Sequence, residues 1–129
     1  MFEILRIIVL GQEPASKVSD KKLQRLMQRE FGSRAGEVNQ KFQRINSDTP
    51  SGKNRFSAAI LKLANRDFDR IDYYINICND DFRDVVASAE YPLRAKLGFN
   101  KIAGWKKRKI YLSDWKEYST WLRKYFLQI

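Results

Sequence analysis

Apolar side chains return at intervals of three and four along most of this chain, the spacing of one face of an α-helix. Leu23, Leu26, Met27 and Phe31 keep that spacing behind Ser19 and Asp20, two residue types suited to capping a helix start. Gly32 and Gly36 interrupt it, and Val38, Phe42 and Ile45 resume it. It continues through Phe56, Ala59, Ile60, Leu63 and Ala64, then Phe68, Ile71, Ile75 and Cys78, then Phe82, Val85, Val86 and Ala89, until Pro92 stops the run. The spacing predicts an all-α fold, with residues 1–129 forming a single compact domain of short antiparallel helices. Its expected core includes Leu26, Phe42, Ile60, Leu63, Ile71, Ile75, Phe82, Val86 and Leu122.

Punctuation divides the helices. Residues 46–54 concentrate Asn, Ser, Asp, Thr, Pro and Gly and read as a loop. Asp67 and Asp80 stand where N-caps are expected, so 56–89 reads as three short helices packed as consecutive hairpins. Gly98, Asn100 and Gly104 then break the pattern, and the stretch around 105–112, ending in Ile110, Tyr111 and Leu112, reads as a minor extended segment. Ser113 and Asp114 are expected to cap a final helix with Trp115, Tyr118, Leu122, Tyr125, Phe126 and Ile129 on one side. The β-branched residues within 2–10 favour a strand, but no second strong strand is present to pair with it, so a short helix ending at Gly11 is expected there.

Charge is sorted by position. Residues 67–92 hold seven acids against two bases, a net of −5, whereas residues 93–129 hold ten bases against two acids, a net of +8, within a chain of net charge +10. Capping and dipole compensation account for Asp67, Asp69, Asp80 and Asp81. Asp72 or Asp84 is expected to pair with a base outside the block, and the block to face the basic C-terminal arm.

Much chemistry is excluded by composition. The chain has no histidine, which removes the commonest general base near neutral pH and the Ser–His and Cys–His nucleophile pairs. One cysteine, Cys78, allows no internal disulfide and no Cys/His zinc site, and its place on an apolar stripe makes it a buried thiol. Residues 49–55 carry a Gly-Lys pair ahead of a helix, but Ser47 stands where a P-loop needs glycine and Asn54 where it needs Ser or Thr. Neither a catalytic, a metal nor a cofactor-binding residue is assigned. The N-terminal apolar run is far short of the ~20 residues that cross a bilayer, and no membrane partner is expected; a reducing, cytoplasmic setting fits the single cysteine.

Asn79-Asp80-Asp81-Phe82-Arg83-Asp84-Val85 with Ala89-Glu90-Tyr91-Pro92 resembles a segment of small uncharacterised bacterial helical proteins. That resemblance implies bacterial origin and a folded helical domain, and no activity. The sequence therefore points to a non-enzymatic protein-interaction or assembly domain, meeting a protein partner or itself. The alternative is a basic nucleic-acid-binding module using the 94–111 arm. There Lys101, Lys106, Lys107, Arg108 and Lys109 would meet phosphates and Trp105 would stack on a base. A magnesium enzyme centred on the 67–90 carboxylates is a minor third reading.

Overall fold

A computed structural model describes residues 17–97 and 104–124. The described elements are the α-helices α1 (Asp20–Phe31), α2 (Ala35–Phe42), α3 (Pro50–Ala64), α4 (Asp69–Asp80), α5 (Phe82–Glu90), α6 (Pro92–Leu97) and α7 (Gly104–Arg123), with a 3-10 turn at Gly32–Arg34. No strand occurs among the described residues, and the fold is all-α. The expected helix over 2–10 and the apolar tail from Tyr125 onward lie outside the described residues, as does Lys101.

Local chemistry sets most boundaries. Ser19 starts α1 by accepting the Lys22 N–H on its Oγ at 3.1 Å, and Gly32 ends it at φ +52°, where a side chain would be strained. Thr49 accepts the Gly52 N–H at 3.0 Å, and Pro50 occupies the first turn of α3. Helix therefore begins inside the 46–54 stretch read as loop: Pro50 to Asn54 open α3, and proline at its first position loses no hydrogen bond. Asn65, at φ +51°, closes α3, and Asp67 accepts the Asp69 N–H at 3.1 Å to open α4. The cap of α5 is Asp81, not Asp80. Asp81 is extended (φ −156°, ψ 103°) and accepts the Arg83 N–H at 3.0 Å, whereas Asp80 is the last helical residue of α4.

The core is built around α3. Ser57, Ala58, Ala59, Ile60, Leu61 and Ala64 are buried, so small residues let neighbouring helices approach its axis. It packs most extensively on α5, and also on α4 and α1, with α4 and α5 in contact with each other as the hairpin reading requires. Leu26, Phe42, Ile60, Ile71, Ile75, Val86 and Leu122 are buried as expected, and Leu63 is partly buried. Phe82 is not a core residue. It is 48% exposed at the first position of α5, with its ring stacked on Phe56 at 4.9 Å.

The C-terminal third departs most from the sequence reading. Residues 105–112 are helix, not an extended segment, and Ser113-Asp114 lies in the middle of α7 rather than at its start. Ile110, Tyr111, Asp114, Tyr118 and Leu122 share the buried side of that helix, a stripe that burial rewards over local strand preference. Asp114 is 2% exposed and caps a different helix: its two carboxylate oxygens each accept a backbone N–H of α6, from Leu93 and Arg94, at 3.0 Å. Burial raises the Asp114 carboxyl above its ordinary pKa, with the two N–H donors working against that rise. No described helix is long and apolar enough to cross a membrane.

The cap assignment is testable by thermal melting. Asp81→Ala should lower the melting temperature, because the Arg83 N–H loses its acceptor, whereas Asp80→Ala should leave it nearly unchanged. Equal losses from the two variants would contradict the assignment.

Candidate functional site

The acids of this fold are largely spent on partners within it. Asp72 binds both Lys41 and Arg44. The Lys41 hydrogen bond, helped by Arg44, holds the Asp72 carboxyl below the usual carboxylate range. Glu90, buried on α5, accepts from Nε and Nη2 of Arg55 at 2.8 Å each, a bidentate pair. Glu30, also buried, takes Arg29 at 3.1 Å and Arg66 at 3.4 Å. Lys62 donates to the Ala89 carbonyl at 2.6 Å and to Glu117 at 3.2 Å. Asp72 thus pairs with bases outside residues 67–92, as the charge pattern predicts. The ion-pair partners of Asp72 and Glu90 are Lys41, Arg44 and Arg55, however, on α3 and at the end of α2 rather than on the C-terminal arm, although α5 does pack on α6 and α7. No three His, Cys, Asp or Glu side chains among the described residues are grouped to hold a metal ion. Cys78 is buried on α4, and burial pushes its thiol up to about 11, which keeps it protonated at neutral pH.

Charges of both signs remain without an ion pair among the described residues, Asp69, Asp80 and Asp84 on the acidic helices and Arg70 and Lys96 on α4 and α6 among them, but the bases gather most densely on α7 and α1. Among the described residues, Lys21, Lys22, Arg25, Lys106, Lys109, Lys116, Arg123 and Lys124 make no ion pair. At 3.6 residues per turn, Trp105, Lys109, Lys116, Thr120 and Arg123 fall within one narrow exposed sector of α7, flanked by Lys106, Ser113 and Lys124. Glu117 at the edge of the sector is turned to Lys62. The helix is thus divided between a buried apolar side and a basic outer side.

Five residues of the proposed polyanion surface can be placed. Trp105 is 69% exposed, and the Arg108 guanidinium lies 4.9 Å from its ring centroid. Lys106 and Lys109 are exposed, while Lys107 is half-buried with its ammonium 5.5 Å from the Tyr111 ring. Arg94, counted with the arm by sequence, lies instead against the rings of Tyr91 and Tyr111, at 5.5 and 4.7 Å. Sequence reasoning missed Lys116, Arg123 and Lys124. Their signal is present: Lys109, Lys116 and Arg123 are seven residues apart, a repeat that returns to one helix face once 104–123 is taken as a single helix.

The far end of this face opens on a groove of about 1120 Å³ between α1, the start of α2 and the end of α7. Lys21, Lys22, Arg25, Arg66, Arg123 and Lys124 line it, over Leu26, Met27 and Leu122. Arg29 holds its walls together: Nη1 donates to the Trp121 and Lys124 carbonyls at 2.6 Å each. Lys22 has a lowered pKa, first through burial and then through the charges of Arg25 and Arg123. No family model, curated protein or solved structure matches the chain.

The Asp72 cluster generates a pH prediction. A carboxyl whose pKa is depressed in the folded state contributes stability above its unfolded value, about 3.9, and loses it as pH falls through the folded value. Asp72→Asn should therefore melt below the wild type at pH 6, and the gap should shrink as pH drops below about 4. A gap that stays constant on acidification would show that charge pairing at Asp72 contributes nothing.

Proposed function

We propose that the protein is a non-enzymatic nucleic-acid-binding module that engages its ligand through the outward face of α7. The observation that carries this reading is the separation of charge. Asp72, Glu90 and Glu30 are committed to internal pairs, whereas Lys106, Lys109, Lys116 and Arg123 stand without an ion-pair partner among the described residues, beside an exposed tryptophan. Unpaired cations in register along one helix face exchange their counterions for phosphates, the main source of affinity for nucleic acids. A flat exposed ring beside them suits an unpaired base, which stacks on an aromatic face irrespective of its identity.

Filter binding tests the reading. At ~50 mM salt the protein should retain single-stranded DNA or RNA, and the logarithm of affinity should fall linearly with the logarithm of salt concentration. Lys106→Glu with Lys109→Glu should reduce that slope by about 0.7 for each phosphate no longer neutralised. Both side chains are exposed, so the melting temperature should not change. Trp105→Ala should weaken binding by about 1–3 kcal/mol at unchanged stability. A large loss of stability would make Trp105 a structural anchor, and no retention at micromolar protein would remove the reading.

Self-association is a second reading, favoured by Leu93 and Leu97, which are exposed one turn apart on α6. Light scattering decides it: Leu93→Lys with Leu97→Lys should convert a dimer to a monomer. A wild-type mass equal to the 15.3 kDa chain would exclude it.

A further inference from the structure

We propose that the groove between α1 and the end of α7 holds phosphates of the same single strand whose base meets Trp105, so that one strand runs the length of α7. This inference rests on the nucleic-acid reading and adds to it a second binding site, a direction along the helix and a minimum ligand length.

Three observations support it. First, α7 is one uninterrupted helix from Gly104 to Arg123, so the exposed ring at one end and the groove at the other are held in fixed register. Second, Lys109 and Lys116 lie between them on the same exposed sector, leaving no acidic break in the path because Glu117 is paired with Lys62. Third, the groove crowds Lys22, Arg25 and Arg123 together without a carboxylate among them, and the Lys22 ammonium is depressed first by burial and then by the charges of Arg25 and Arg123. An anion seated among these three cations is attracted by all of them at once. The carboxylate of the groove wall, Glu30, is buried and held by Arg29 and Arg66, so it does not oppose an incoming phosphate.

Scale favours a strand over a small anion. Eighteen residue steps at about 1.5 Å separate Trp105 from Arg123, roughly 27 Å. A strand with stacked bases advances about 3.4 Å per nucleotide, so about eight nucleotides reach from the ring to the groove. A single strand is favoured over a duplex because a paired base has no free face to offer Trp105.

The experiment measures oligothymidine affinity against length, from about four to about sixteen nucleotides, for wild type and for Lys22→Glu/Arg25→Glu. Arg25 is exposed and Lys22 half-buried, and circular dichroism confirms that the variant is folded. Wild-type affinity should climb steeply to about eight nucleotides and then level off. The groove variant should bind the shortest oligomer as the wild type does, lose the climb, and show a salt slope smaller by about 1.4 on the longest one. If long oligomers bind and the groove variant matches the wild type in affinity and slope, the inference fails while the nucleic-acid reading stands. If no oligomer of any length binds the wild type, the reading itself fails and the inference with it. Preference for a duplex of equal length, or binding of poly-glutamate with no oligothymidine bound, would assign the groove to another partner and overturn the proposal.

Discussion

Arg29 is the interaction on which the geometry of this protein turns. It is a buried arginine on α1, and its guanidinium is distributed over three tasks: Nε to Glu30, Nη1 to the carbonyls of Trp121 and Lys124, and its face to the Trp121 ring at 4.8 Å. Carbonyls at a helix C-terminus have no partner within the helix and carry partial negative charge, so a fixed cation there is favourable. Because Arg29 sits on one helix and the carbonyls on another, the bond also sets where α7 ends relative to α1. Removing one member of such a buried set leaves an uncompensated charge, at a cost of about 3–5 kcal/mol. The groove exists because these two helices are fastened at this point.

The same economy of charge governs the rest of the molecule. A protein with ten more bases than acids repels itself, and the fold places Glu30, Asp72, Glu90 and Glu117 where bases from elsewhere in the chain reach them. Arg55 and Glu90 join α3 to α5, Asp72 joins α4 to the end of α2, and Lys62 links the α5 terminus to α7 through Glu117. Each pair has at least one largely covered partner and ties two helices together, so its effect is first of all arrangement. What remains includes a set of cations that no acid within reach neutralises. They collect on the outer sides of α7 and α1, and the polyanion reading follows from that surplus.

Helices α1 to α5 were legible from sequence because their signals are local. At every one of them but α2, a serine, threonine or aspartate captures a free N–H two or three residues on, and the apolar spacing behind it is regular. The errors there are local: Asp81 caps in place of Asp80, helix α3 is entered at Pro50, and Gly36, expected to interrupt the pattern, lies inside α2. Helix α7 was not legible because its decisive residue acts at a distance. Ser113-Asp114 has the composition of a helix start, yet Asp114 is buried to serve α6, twenty residues earlier in the chain. Taking it as a cap split one long helix in two and hid the seven-residue spacing of Lys109, Lys116 and Arg123. The buried Arg29 and Glu30 were hidden for a related reason. Charged residues are read as surface, and only tertiary partners at Trp121, Lys124 and Arg66 make their burial possible.

Amide chemical-shift mapping tests the central claim most directly. The isotope-labelled protein would be titrated with an oligothymidine of about twelve nucleotides, long enough to span α7. The account predicts shifts that follow one line, from Trp105 through Lys109, Lys116 and Arg123 to Lys22 and Arg25 on α1, with Tyr73 on α4 and Phe82 on α5 left unmoved. Shifts centred on α4 and α5, or scattered without a continuous track, would contradict it.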